Sequence, residues 1–295
     1  MNTNIIIFKH ADKSLGKLKY LLNRLSLVVI LSLLMSNSAF AENRVYSVGI
    51  VPQFEVKRLH QIWRPIIDNL EQQTGFKFII RGSANIPAFE REFMSGKFDF
   101  AYMNPYHIML ANDAEGYIPL TRDIGRHLQG VLVVRKDSGI TKVEELNNSE
   151  IAFPSPNALG ASLQIRQELT DKFHIDIKPE YVQTHDSVYL SVALRQSAAG
   201  GGVQATLNRQ KPAIRDLLQV IHRTSKVSPH PFSVHPRVDV EVREKVRQAM
   251  LALGENEIGR EMLAQIPVRQ IGPASMQDYA PLKEMGLARF MTPEN

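Results

Sequence analysis

The stretch IAFPSPNALGASL, residues 151–163, has the pattern of a short apolar strand, a turn and the start of a helix. A helix start presents unpaired backbone N–H groups and the positive end of the helix dipole, and both attract anions. The turn places Ser155, Asn157 and Ala158 at this point. We therefore expect an anion to bind here, although asparagine is also a preferred helix cap and Asn157 could serve only that purpose.

Other residue patterns that could carry chemistry are incomplete. The chain has no cysteine, which excludes disulfides, thiolate zinc sites and a cysteine nucleophile. The glycines at 200–202 lack the Lys-Ser/Thr pair of a nucleotide phosphate loop. His230 and His235 lie on a proline-rich segment without a carboxylate pair to complete a metal site. The sequence therefore predicts no enzyme, no metal and no cofactor.

The first 41 residues are typical of a cleavable secretory signal. Five basic residues precede the apolar run LSLVVILSLLM at 25–35, and Ala-Phe-Ala at 39–41 fits a cleavage site before Glu42. A membrane anchor would need about 20 apolar residues, which this run does not reach. Without this leader the chain carries 30 basic and 29 acidic residues. That near balance of charge gives no support for nucleic-acid binding. From the secretory signal we expect a periplasmic protein.

Strands and helices alternate along the rest of the chain. The first run has strands near 44–51, 76–82, 98–103 and 130–138 and helices near 59–70 and 86–96, with a kink or late start at Pro65. The pattern restarts with a strand at 150–153, a helix at 158–173 and strands near 180–183, 200–203 and 216–223. Alternation of this kind predicts an α/β fold with mostly parallel sheets flanked by helices. We expect two lobes separated by a cleft, one formed by 42–130 plus 230–295 and the other by 131–229.

In such folds, ligands bind where strands end and helices begin. Besides the turn described above, the candidates at these ends are Phe54, Tyr102, Asn104, Tyr106 and His185. The two tyrosines could equally pack the interior of a lobe, and His185 could lie beside a helix start without touching a ligand. The sequence leaves both interpretations open.

Four stretches together resemble one family. They are LHQIWRPIIDNLEQQTGFKF, SGKFDFAYMNPYHIM, IAFPSPNALGASL and VQTHDSVYLSVALRQ, and they occur in the family's order across nearly all of the chain after the leader. The family is the phosphate/phosphonate-type periplasmic solute-binding proteins of ABC transporters, and the resemblance implies a two-lobed type II periplasmic binding-protein fold.

The resemblance also implies a function. Members of the family capture a small solute and deliver it to an inner-membrane ABC permease, so we expect a small anionic, phosphate- or phosphonate-like ligand. The Ser-Thr-Ser run that many phosphonate binders place at the helix start is replaced here by Asn157-Ala158-Leu159-Gly160. A ligand-sensing subunit for a membrane histidine kinase, built on the same fold, is the alternative function. The expected ligand-binding residues are Phe54, Tyr102, Asn104, Tyr106, Ser155, Asn157, Ala158 and His185.

Overall fold

The computed structural model describes residues 44–291, and the predicted signal peptide lies outside these described residues. The strands are β1 (Val45–Ile50), β2 (Lys77–Gly82), β3 (Phe100–Tyr102), β4 (Ile118–Asp123), β5 (Gly130–Arg135), β6 (Glu150–Phe153), β7 (Lys178–Tyr181), β8 (Ala199–Val203), β9 (Leu218–Arg223), β10 (Phe232–Val234) and β11 (Ile271–Pro273). The sequence pattern missed β4, β10 and β11. Two of these have only three residues, which is too short for an alternating pattern, and β4 contains Pro119.

The helices surround these strands. They are α1 (Val56–Thr74), α2 (Ile86–Met94), α3 (Pro105–Glu115), α4 (Gln164–Asp171), α5 (His185–Ala193), α6 (Gln204–Asn208), α7 (Pro212–Arg215), α8 (Val240–Ala252) and α9 (Glu257–Gln265). Short 3₁₀ turns follow near the C-terminus, at Met276–Asp278, Ala280–Met285 and Leu287–Phe290. None of the helices between residues 44 and 291 combines the length and the apolar character needed to cross a membrane.

The strands form two separate sheets, which confirms the α/β fold of two lobes. The first sheet has the order β11-β4-β10-β3-β1-β2 and the second the order β7-β6-β8-β5-β9. We call the parts built on them the first and the second lobe. Both sheets are mixed rather than mostly parallel: β1 pairs with β3 in parallel, whereas β10 runs antiparallel to both β3 and β4. In the second sheet, β5 runs antiparallel to β8 and β9, while β6 runs parallel to β7 and β8.

Helix α1 shows how the apolar pattern determines packing. Its buried residues are Leu59, Trp63, Ile66, Ile67 and Leu70, which recur at helical spacing and cover the first sheet. The helix begins at Val56 and runs through Pro65, so the alternative of a late helix start is wrong. Pro65 is exposed. Proline has no N–H group to bond to the carbonyl group one turn earlier, and this unpaired carbonyl group therefore lies on the solvent side of the helix.

The glycine run at 200–202 forms the buried centre of β8, because its neighbours approach too closely for side chains. A Cβ atom at Gly201 would overlap the carbonyl oxygen of Ala161, and one at Gly202 would overlap the Tyr189 hydroxyl group. The run therefore permits close packing of the second lobe.

The C-terminal segment returns to the first lobe. Helices α8 and α9 pack against α1, and α8 also contacts β4 and β11. Beyond them the chain reaches the second lobe, where Arg166 Nη2 donates to the Phe290 carbonyl oxygen at 2.6 Å and Arg289 pairs with Asp171. The exact lobe boundaries of the sequence analysis stay a prediction.

Candidate functional site

The turn after β6 is buried against the first lobe. Residues Leu159–Leu163 form a single π-helical turn that leads into α4, and Ala158 belongs to the same apolar cluster as the core of the first sheet. A cavity of about 20 Å³ lies beside this turn, and its lining includes Asn104, Ala158 and His185. The structure therefore brings three of the predicted site residues together, in a space that admits about one water molecule.

A buried polar network connects the two lobes behind this turn. The Asn157 side-chain amide donates to Glu90 Oε2 at 2.8 Å, and Glu90 Oε1 lies 2.9 Å from His107 Nε2. Asn104 Nδ2 lies 2.8 Å from the same histidine nitrogen and 3.5 Å from the Asn157 carbonyl oxygen. Glu90 lies on α2 of the first lobe and Asn157 follows β6 of the second. The network therefore bridges the cleft.

Asn104 also determines where α3 begins. Its Oδ1 accepts hydrogen bonds from the backbone N–H groups of Tyr106 and His107, both at 2.8 Å, which satisfies two of the unpaired donors at a helix start. Tyr106 is half-buried and packs against the apolar core of the first lobe rather than lining the small cavity beside the turn. Asn157, whose amide is bonded to Glu90, does not line that cavity either.

Ser155 and Phe54 share an open groove of about 500 Å³ between the lobes. The Ser155 hydroxyl group is buried and has no hydrogen-bond partner among residues 44–291. Phe54 stacks under the Arg58 guanidinium group, 4.3 Å from the centre of its ring, and it also lines a second, deeper cavity.

This deeper cavity has a volume of about 230 Å³ and lies between the lobes. Its lining includes Phe54 and Tyr102 from the predicted set, together with Arg126, Arg209 and His230. Arg126 lies in the crossover between β4 and β5, and Arg209 is the C-cap residue that follows helix α6 of the second lobe. Neither arginine is predicted from the sequence, because each lies in a connection with no recognisable motif.

The two arginines differ in how their charge is balanced. Arg126 Nε pairs with Asp123 Oδ2 at 2.8 Å, and the Asp123 carboxylate also accepts backbone N–H bonds from Gly125, Arg269 and Gln270. Arg209 donates from Nη2 to the Ala264 carbonyl oxygen at 2.7 Å, and it has no carboxylate partner among the described residues. Burial, together with the neighbouring cations Arg58 and Arg126, lowers the pKa of Arg209. The cavity thus contains unbalanced positive charge.

The aromatic wall of this cavity, by contrast, carries no charge. Tyr102 and His230 stack with ring centres 5.4 Å apart, and the Tyr102 hydroxyl group donates to the Ile266 carbonyl oxygen at 3.3 Å. Burial raises the pKa of Tyr102. Burial also lowers the pKa of His230 to about 3, so its Nε2 is neutral and accepts from the Gln53 amide at 2.9 Å. These rings present apolar surface rather than charge.

His185 is likewise neutral at ordinary pH. Burial lowers its pKa to about 4, and its Nδ1 lies 3.4 Å from the Thr206 hydroxyl oxygen. It lines the small cavity beside Ala158, whereas Thr206 lines the larger one. The two spaces therefore share a wall, and a ligand in the larger cavity would lie next to the turn that the sequence singled out.

Solved structures share this fold. A binding protein component of an ABC phosphonate transporter from Pseudomonas aeruginosa is 18% identical, with a TM-score of 0.74 over 83% of this chain and 87% of that one. PhnD1 from Prochlorococcus marinus, solved in complex with methylphosphonate, is 15% identical, with a TM-score of 0.76 over 83% and 98% of the two chains. A Xanthomonas citri protein bound to chloride ion is 16% identical, with a TM-score of 0.68 over 83% and 98%.

The family model for the periplasmic substrate-binding protein of phosphonate ABC transporters matches residues 48–279. This range contains most of both lobes, the buried network that bridges the cleft and the cavity lined by Arg126 and Arg209. Members of this family are substrate-binding receptors and not enzymes, and they are periplasmic. The chain therefore belongs to the phosphonate-type periplasmic substrate-binding protein family of ABC transporters.

Proposed function

We propose that this receptor captures a small anionic solute in the cavity between its lobes and presents it to an inner-membrane ABC permease. The permease partner follows from the family. The anionic nature of the solute rests on Arg209, a partly buried guanidinium group with no carboxylate partner among the described residues. A role as a sensor for a membrane kinase stays a prediction.

The charges explain why an anion would bind here. Two cations that face one cavity repel each other, and the repulsion is larger in a partly buried site than in water because the surroundings screen it less. The Asp123 carboxylate balances Arg126 but makes no contact with Arg209. An anion between them would relieve that repulsion, and guanidinium groups bind carboxylate, phosphate and phosphonate oxygens in a bidentate geometry.

Binding would also couple to closure of the lobes. Arg209 and Thr206 belong to the second lobe, whereas Phe54 and Tyr102 belong to the first. A solute that contacts both sets has more contacts when the lobes are together than when they are apart, so it favours the closed form. That closed form is what the permease would recognise.

The experiment is a thermal-shift and calorimetry screen of the mature protein with inorganic phosphate, methylphosphonate and phenylphosphonate. A ligand at 100 times its Kd should stabilise the protein by about 2.7 kcal/mol. Substitution Arg209→Gln removes a charged hydrogen bond, typically about 1.5–3 kcal/mol, so we expect roughly a tenfold to hundredfold weaker binding.

The matched control is Arg195→Gln. Arg195 is an exposed arginine of the same lobe, paired with Asp137 at 2.8 Å and outside the cavity lining. Its substitution should leave the affinity for the anion unchanged. Equal weakening by both substitutions, or none by Arg209→Gln, would refute the assignment of the cavity.

A further inference from the structure

The cavity lined by Arg126 and Arg209 is larger than an inorganic oxyanion. By the measure in which the 20 Å³ cavity beside Ala158 admits about one water molecule, one water needs about 10–15 Å³. The cavity has about 230 Å³. It therefore has room for more than about ten waters, whereas phosphate has only five heavy atoms, so most of the volume would be left to something other than the acid group.

Most polar side chains of the lining already have partners in the protein. The Thr206 hydroxyl group donates to the Val203 carbonyl oxygen at 2.9 Å, and the Tyr102 hydroxyl group donates to Ile266. The Gln129 amide donates to the Thr224 carbonyl oxygen at 2.8 Å, and the Gln53 amide donates to His230 Nε2 at 2.9 Å. These groups offer few free donors to a tetrahedral oxyanion, and among the described residues of the lining only Arg126 and Arg209 carry a permanent positive charge.

Much of the remaining surface is apolar. It includes Phe54, Leu128, Val203, Pro229, Pro267 and Val268, in addition to the face of the stacked Tyr102–His230 pair. His127, Gln204 and Asn208 are the other polar side chains of the lining. Apolar surface of this kind stabilises a complex only when carbon atoms of the ligand cover it, because water and oxyanions leave it hydrated. A compact inorganic anion would therefore use the two cations and none of this wall.

We propose that the ligand is an organic anion: one acid group held by Arg126 and Arg209, with an apolar body that covers the wall containing Phe54. This inference rests on the proposed function and extends it to the class of substrate. It excludes inorganic phosphate and the smallest alkylphosphonates as the preferred ligands.

The test compares methylphosphonate with phenylphosphonate by isothermal titration calorimetry on the mature protein. The two compounds carry the same acid group and differ only in the body. We expect phenylphosphonate to bind at least tenfold more tightly, and inorganic phosphate to bind no better than methylphosphonate. Substitution Phe54→Ala should reduce the preference for the phenyl compound at least threefold.

The control is Tyr181→Ala, which truncates an exposed aromatic side chain outside this cavity and should leave the wild-type preference unchanged. Circular dichroism melting establishes that both variants fold. A preference below tenfold, or one that Phe54→Ala leaves unchanged, overturns the inference while anion binding itself stands. If neither phosphonate binds, the proposed function and this inference both fall.

Discussion

Substitution Asn157→Ala tests whether the buried network joins the two lobes. The Asn157 side chain is 2% exposed, and its amide donates to the carboxylate of Glu90, itself 7% exposed, at 2.8 Å. Truncation removes a hydrogen bond to an acidic group and leaves one Glu90 oxygen short of a donor in a site closed to water. A hydrogen bond to a charged group contributes about 1.5–3 kcal/mol, and a buried unsatisfied group costs a similar amount.

We therefore expect the free energy of unfolding to fall by about 1.5–3 kcal/mol. For a protein of this size, 1 kcal/mol corresponds to about 2–4 °C in Tm, so the melting temperature should fall by roughly 3–12 °C. The assay is urea unfolding followed by circular dichroism, with differential scanning calorimetry for Tm.

The control is Asn147→Ala, which removes an exposed asparagine that accepts the Asp176 backbone N–H at 3.0 Å. It should cost less than about 1 kcal/mol, because water replaces the lost acceptor. A double-mutant cycle with Glu90→Gln measures the coupling between the two side chains. Equal destabilisation by the two asparagine substitutions, with no coupling in the cycle, would contradict a bridge across the cleft.

Two further predictions concern stability. Burial lowers the pKa of His185 to about 4, below its unfolded value near 6.5, so its contribution to stability is complete above pH 6.5 and is lost as the pH falls toward 4. His185→Gln should make unfolding less pH-dependent in that window, and an unchanged pH profile in urea melts would refute the assignment. Gly201→Ala should lower the free energy of unfolding by about 1–3 kcal/mol, because the added Cβ would overlap the Ala161 carbonyl oxygen. The control is Gly82→Ala, whose added Cβ would have its nearest neighbour at 3.7 Å, and it should change the free energy of unfolding by less than about 1 kcal/mol. Equal Tm values for these two variants would show that β8 has room for side chains.

The sequence by itself was sufficient for the family and for most of the regular elements. The buried face of α1 and the apolar strands β1 and β6 follow from periodicity, which depends only on which side chains avoid water. It also indicated the turn at Ser155–Ala158, because turn residues between a strand and a helix are a local signal. The eight predicted ligand residues stay a prediction.

Tertiary structure alone decided which polar groups meet. Glu90 lies within α2 and Asn157 lies in a loop 67 positions later, and no local pattern relates them. The same holds for Arg126 and Arg209, which only the packing of the two lobes brings to one cavity. Local preferences determine where a strand or helix forms, whereas the charge and shape of a site depend on contacts between distant segments. For this chain the sequence therefore predicted a site at the cleft, and the fold determined which charges line the cavity there.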